Sequence, residues 1–338
     1  MQYHLYESGA ADGKLARFRM DSSSGRLTAQ TSIETPQSIA AMAVDGAGRF
    51  LFATMGSDRV GSFLVDRHTG DLEPINAVAI ERGPCYLNTD PTDRFLFYSC
   101  FSLGTIGVLG IEADGSIQDQ PVELRTMAQH AHSIQADPGS RFVYVPHINP
   151  PNRIDQFRFD ATTGSLTPSD PPSYSPSTPQ GPRHICFHPT LDVLYSVNEN
   201  GGTVSAHRMD AQTGILDGFQ TLTTLPEGYD GSQNNCAEIK ITPTGSYLYA
   251  SNRGHDSIAG YRVDAGTGEL TPLGHTATEK TPRMFNLDPT GQYLYAAGQD
   301  TGGLASYRID AATGALEPLE VHQVGGGPAW LEFVACDE

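Results

Sequence analysis

The feature that most constrains this chain is that it repeats itself seven times. Segments with an aromatic–aliphatic–aromatic core, or a close variant, occur at YHLY (3–6), RFLF (49–52), RFLF (94–97), RFVY (141–144), DVLY (192–195), SYLY (246–249) and QYLY (292–295). Their last aromatics stand at 6, 52, 97, 144, 195, 249 and 295, so the repeat is 45 to 54 residues long. A period near that length suits a four-stranded propeller blade. Each unit carries the same order of signals. An apolar strand ends in a turn such as DPTD (90–93), DPGS (137–140) or DPTG (288–291). The aromatic strand follows, then a polar loop and a third alternating strand such as SIAGYRV (257–263). A DxxTGxL turn, as at Asp66–Gly70, Asp264–Gly268 and Asp310–Gly314, leads into a short outer strand. Period-two alternation between Gly/Asp/Pro turns is the hairpin signature. A β-sandwich also strings short strands together, but it does not require seven near-identical units.

The ends complete the pattern. The first unit lacks an opening strand, and GGPAWLEFV (326–334) supplies one with no further strand after it. The expectation is an all-β, seven-bladed β-propeller of four-stranded antiparallel blades, a single domain over residues 1–338. Pairing of the N- and C-terminal segments closes the ring, which leaves no open sheet edge. The high content of Gly (36) and Pro (23) agrees with so many turns.

Charge narrows the partners. With 21 basic and 39 acidic side chains the net charge is −18, which repels phosphate backbones and anionic lipid, so neither nucleic acid nor membrane is expected as a partner. No run approaches the 18–20 apolar residues of a membrane span, and the N-terminus shows no basic segment followed by an apolar one. Five scattered Cys without a CxxC pair fit free thiols in a reducing cytoplasm, and the expected localisation is cytoplasmic.

Propeller geometry sorts the residues further. The innermost strand of each blade lines the central channel, and the second strand runs antiparallel to it. The start of the first and the end of the second therefore share one face. Six residues before the turn Pro stand Cys85, His132, Arg183, Ala237 and Arg283; one residue later come Tyr86, Ser133, His184, Glu238 and Met284. The third and fourth residues after the second-strand aromatic include His147, Glu199, Arg253 and Gln299. One rim thus collects His132, Arg183, Glu199, Arg253 and Arg283, joined by His147, His184, Glu238 and Gln299. Three Arg in a ring, within so acidic a chain, make a convergent polar site of the kind that binds a ligand. An Arg–carboxylate network that merely plugs the channel is the structural alternative.

Two connections entering inner strands are long, Thr167–Pro182 with six Pro and Leu222–Asn235, and they read as walls of the cleft, with Tyr174 and Tyr229 as candidate covers. His130 and His132 share a strand face, but a zinc site needs three or four converging ligands, and His188 falls at the far end of its strand. No metal site is expected. No GxSxG elbow or P-loop is present. Cys85 has no evident base beside it and reads as a small packed residue.

The strings GPRHICFHP (181–189), NE (198–199), AEIKITPTGSYLYASNRGHDSI (237–258) and TPRMFNLDPTGQYLYAAGQ (281–299) resemble the lactonase family of seven-bladed propellers. That family includes the propeller-type 6-phosphogluconolactonases and the fungal-type 3-carboxy-cis,cis-muconate lactonising enzymes. The resemblance spans essentially the whole chain. In its cycloisomerase branch it implies a catalytic set of one His, two Arg and one Glu, which fall here on His132, Arg183, Arg253 and Glu199. The 16-residue step from Arg183 to Glu199 matches the family pattern.

The resemblance and the rim agree on a small anionic lactone or diacid as substrate, with no metal or organic cofactor. Arg clamps carboxylate or phosphate and stabilises an oxyanion. A carboxylate or an imidazole can take a proton from water. The favoured reading is hydrolysis of a sugar-acid lactone, such as 6-phosphogluconolactone, by Glu199- or His132-assisted water attack, with Arg183 and Arg253 binding the anion. Lactonisation of a carboxymuconate-like diacid at the same site is the nearest competitor, and a non-enzymatic scaffold is the third reading. A metal-dependent gluconolactonase is disfavoured, because those propellers have six blades.

Overall fold

The computed structural model describes residues 1–9, 13–35 and 37–337. The repeated units become seven antiparallel sheets arranged around an axis, and we number them as blades from the N-terminus. Blade 1 is built from both ends of the chain. Its inner strand is Pro328–Ala335, followed outward by Gln2–Gly9, Lys14–Asp21 and Leu27–Ala29. Blades 2 to 7 each take four successive strands. Their inner strands are Met42–Val44, Pro84–Thr89, Gln135–Ala136, Pro182–Phe187, Asn235–Ile241 and Pro282–Leu287. The register across the closure runs from Tyr3 opposite Ala335 to Gly9 opposite Pro328. Among the described residues no helix is long and apolar enough to cross a membrane.

The repeated residues are what fasten each blade to the next. The Asp that opens the DPTG-type turns accepts the backbone N–H groups four and five residues on. Asp90 Oδ1 does so from Arg94 and Phe95 at 2.9 Å each, and Asp288 Oδ1 from Gln292 and Tyr293 at 2.9 and 2.7 Å. That satisfies donors the hairpin bend would otherwise strand. The last aromatic of the second strand is fully buried in every blade. Burial of such a ring is worth about 1.5–3 kcal/mol. Where it is Tyr, its hydroxyl reaches into the next blade and donates to the Gly carbonyl of the turn before the outer strand, a TG turn in blades 2 and 5 to 7 and an SG turn in blade 1. The links are Tyr6 to Gly70 (2.8 Å), Tyr144 to Gly214 (2.6 Å), Tyr195 to Gly268 (2.8 Å), Tyr249 to Gly314 (2.8 Å) and Tyr295 to Gly25 (2.7 Å). The link from blade 7 to blade 1 is the same as the others, so the ring closes without a special joint.

Blade 4 departs from expectation. Its outer strand runs Ser165–Tyr174, through the first half of the Pro-rich stretch read as loop. An outermost strand donates to one neighbour only, so Pro can occupy it. A register shift opposite Asp155–Phe157 absorbs the residues that do not pair. The connection into blade 5 is correspondingly shorter than the sequence suggested.

Candidate active site

The rim is built by a repeated irregularity. At the start of the inner strand, one extra residue is inserted against the second strand. The register shifts between Pro182 and His184 in blade 5, between Pro282 and Met284 in blade 7, between Cys236 and Ile239 in blade 6 and opposite Ser99–Cys100 in blade 3. In blade 4, three residues between Ala131 and Gln135 face two between Tyr144 and His147. A β-bulge re-aims the side chain it carries. The bulged positions hold Cys85, His132, Arg183 and Arg283, four of the residues that sequence alignment had put in register.

Arg183, Glu199 and Arg253 form one cluster. Glu199 Oε2 lies 2.9 Å from Arg183 Nε and 3.2 Å from an Arg253 terminal nitrogen. Arg183 also donates to the Ala237 carbonyl. Arg253 donates to the carbonyls of Asn235 (3.2 Å) and Cys236 (3.0 Å). The Arg183 side chain is 2% exposed, against 17% for Glu199 and 15% for Arg253, so a molecule entering the rim meets Glu199 and Arg253 first. Burial, with Arg253 and Arg283 nearby, lowers the Arg183 pKa to about 9, and the guanidinium remains charged at neutral pH.

His132 is buried against Phe101 and His184, with ring centroids 5.3 and 5.1 Å away. Its Nδ1 has no hydrogen-bond partner among the described residues. Burial, then the charge of Arg183, holds its pKa well below the ordinary imidazole value, so the ring is neutral.

His184 and Glu238 lie beneath the rim. Glu238 Oε2 accepts from His184 Nδ1 at 2.9 Å, which leaves His184 Nε2 to accept from Arg183 at 3.3 Å. Burial would raise the Glu238 carboxyl, but Lys240 and His184 outweigh it and hold it at about 2. Burial lowers His184 to about 4 against the pull of Glu238. The pair is therefore a neutral imidazole on a carboxylate, and it steadies Arg183 from behind.

The remaining sequence-derived residues sit differently. Arg283 is half-buried, with no side-chain hydrogen bond or ion pair among the described residues. Gln299 is half-buried just past the second strand of blade 7. His147 is fully buried, with Nε2 3.0 Å from Asp155 and Nδ1 3.1 Å from the Gln129 carbonyl. A direct substrate contact by His147 would require that packing to open. Tyr174 packs on His207 in the third strand of blade 5 at 4.8 Å, away from the inner strands, and is no cover. Tyr229 stays 38% exposed, and its hydroxyl donates to the carbonyl of Gly254, next to Arg253.

Trp330 and Glu332 went unremarked in the sequence, whereas Tyr86 and His184 stood among the aligned inner-strand starts. Tyr86, His184 and Trp330 come from inner strands of blades 3, 5 and 1, yet their rings meet, Tyr86 at 5.1 Å from His184 and 5.4 Å from Trp330. Contact between non-adjacent blades means they meet across the channel and floor the site. Trp330 donates to Glu332 Oε1 at 2.9 Å, and burial pushes the Glu332 carboxyl up to about 7. Counting the C-terminal strand as an inner strand, in register with the others, would have found Trp330 and Glu332. Among the described residues no three His, Cys, Asp or Glu gather as a metal site.

Fold and rim together define a seven-bladed propeller with a cluster of guanidinium groups, a carboxylate and a neutral imidazole at one end of its inner strands. The family model "Lactonase, 7-bladed beta-propeller" matches residues 5–333, and the chain belongs to that family of enzymes. It is 33% identical over 337 residues to a 6-phosphogluconolactonase of Pectobacterium carotovorum, covering 99% of this chain and 96% of that one. A 6-phosphogluconolactonase of Cronobacter sakazakii is 30% identical over 84% of each chain. The periplasmic gluconolactonase of Pseudomonas aeruginosa superposes over the full length of both chains with a TM-score of 0.88 at 23% identity, a likeness of fold.

Proposed function

We propose that the chain hydrolyses a sugar-acid lactone, of the kind for which its Pectobacterium relative is named, at the rim formed by His132, Arg183, Glu199 and Arg253. The observation that carries the reading is Glu199 Oε2 bridging Arg183 and Arg253, with the buried, neutral His132 packed on His184, which itself meets Arg183. Water attacks the lactone carbonyl carbon and passes its proton to His132. The carbonyl oxygen takes up negative charge, which Arg253 stabilises at the pocket surface and Arg183 from behind it. Collapse breaks the ring C–O bond, and the proton returns from His132 to the ring oxygen, giving the open hydroxy acid. Glu199 holds the two guanidinium groups in place and offers its exposed edge to orient the water. Preorganised charge of this kind is the largest lever on acyl transfer in a water-poor site. Family membership and the two named relatives support lactone hydrolysis as the reaction class.

The test is steady-state hydrolysis with His132→Asn and Glu199→Gln. His132→Asn keeps the polarity but removes the base, so kcat should fall by about 10²–10⁴ with little change in KM. Because the His132 pKa is depressed, the base is already free at neutral pH, and activity should be lost only as pH falls well below the ordinary imidazole range. Near-normal kcat in His132→Asn, with large loss in Glu199→Gln, would move the proton-transfer role to Glu199.

A further inference from the structure

The rim carries more positive charge than lactone hydrolysis alone requires. Arg183 and Arg253 share one carboxylate, Glu199. The other nearby carboxylate, Glu238, is balanced by Lys240, 3.9 Å from its Oε1. His132 and His184 are neutral. Arg283 adds a third guanidinium with no ion pair among the described residues; Glu199 and Glu238 act on it only from beyond ion-pair distance. Three guanidinium groups share one ion-paired carboxylate, Glu199, and the Glu332 carboxyl, raised by burial to about 7, offsets them only in part, so the rim keeps a positive surplus inside a protein of net charge −18.

Two partly buried arginines elsewhere provide a contrast. In the groove between blades 3 and 4, of about 430 Å³, Arg125 pairs with Glu123 at 3.2 Å and Arg153 with Asp155 at 2.7 Å. Arg283 has no such neighbour, although it is half-buried on a bulge aimed at the channel. Its charge acts on Arg183 in blade 5, on His132 in blade 4 and on Cys85 in blade 3. A desolvated, unpaired cation costs free energy in the empty protein unless a ligand supplies its partner.

A lactone ring is uncharged, and its carbonyl oxygen becomes negative only as water adds. A positive surplus fits a substrate that brings a fixed anion of its own. A phosphate monoester carries about −1.5 to −2 at neutral pH and accepts paired N–H donors from a guanidinium. We propose that Arg283 is the specificity-determining residue of the site: it binds a phosphate group remote from the lactone carbonyl and so selects phosphorylated over neutral sugar lactones. This rests on lactone hydrolysis as the reaction at the rim.

The experiment compares kcat/KM for 6-phosphoglucono-δ-lactone and for uncharged glucono-δ-lactone, in the wild type, Arg283→Gln and Arg283→Lys. The wild type should favour the phosphorylated lactone. In Arg283→Gln the ratio of the two values should fall by about ten- to a hundredfold, the worth of a charge-assisted hydrogen bond. Arg283→Lys keeps the charge without the planar fork and should recover part of the ratio. A variant that is merely damaged loses both substrates together and leaves the ratio standing, which would overturn the proposal. Equal turnover of both lactones by the wild type would overturn it too, while hydrolysis itself stands. Turnover of neither lactone by the wild type would overturn the hydrolysis reading and this proposal with it.

Discussion

At the scale of single residues, burial decides what each polar group can do. Arg183, His184 and Glu238 are held by one another, whereas Glu199, Arg253 and Arg283 keep part of their side chains exposed at the rim. The cluster of Arg183, Glu199 and Arg253 was legible in the sequence because a fixed repeat puts equivalent residues in register. Their division into a surface and a supporting layer was not, because spacing says nothing about which side chain covers another. Glu332 illustrates the energetic side. Its carboxyl is raised by burial to about 7, so the folded protein binds this proton more tightly than the unfolded chain, whose Glu titrates near 4.3. The stabilisation is complete below that unfolded value and is lost as pH rises through about 7. Glu332→Gln keeps the oxygen that accepts from Trp330 and removes the titration. It should raise the melting temperature only a little at pH 5 and clearly more at pH 8.5, a difference between the two pH values on the order of 1–3 kcal/mol. Thermal unfolding at the two pH values reads this directly, and parallel curves for the two proteins would contradict the assignment.

At the scale of elements, the repeated motif fastens blade to blade. The aromatic of one blade and the TG turn of the next are separated in sequence by about a blade and a half, yet they form one contact. Sequence reading identified both signals as local strand and turn markers, since periodicity cannot show that they touch. Gly214 tests the contact. It has φ +72°, and a Cβ there would stand 2.3 Å from Phe142 Cδ1 of the preceding blade. Gly228 has φ +78° in the blade 5–6 connection with nothing within 4 Å. Gly228→Ala should cost only the backbone strain, about 1–2 kcal/mol. Gly214→Ala adds a clash in a packed seam and should cost about 2–4 kcal/mol. Denaturant midpoints measure the difference, and equal costs would show that the seam yields. The outer strand of blade 4 was hidden for a related reason: its Pro content reads as loop unless the strand is known to lie at an edge.

At the scale of the whole molecule, the two chain ends share one blade. The C-terminal strand buries Trp330, Leu331 and Val334, each worth about 1.5–3 kcal/mol. Their sum is a large part of the 5–15 kcal/mol that ordinarily separates folded from unfolded domains. Removing residues 326–338 also opens an edge on Gln2–Gly9. The truncated chain should melt far below the intact one, and an unchanged melting temperature would refute closure. The same strand carries Trp330 to the floor of the site, so stability and pocket shape depend on one segment. Sequence reading found the orphan strand and its partner but not this second duty, which follows only once three non-adjacent blades are seen to meet on the axis.

The central claim is that a cationic rim hydrolyses a lactone with its own side chains. It is tested most directly by proton release from 6-phosphoglucono-δ-lactone at constant pH, corrected for spontaneous ring opening, with and without a chelator. The account predicts rapid turnover that the chelator leaves intact. It also predicts that Arg253→Ala lowers kcat/KM by about ten- to a hundredfold, the loss of one charge-assisted hydrogen bond in the transition state. Release no faster than the spontaneous rate, turnover abolished by the chelator and restored by a divalent ion, or an Arg253→Ala protein as active as the wild type would contradict it.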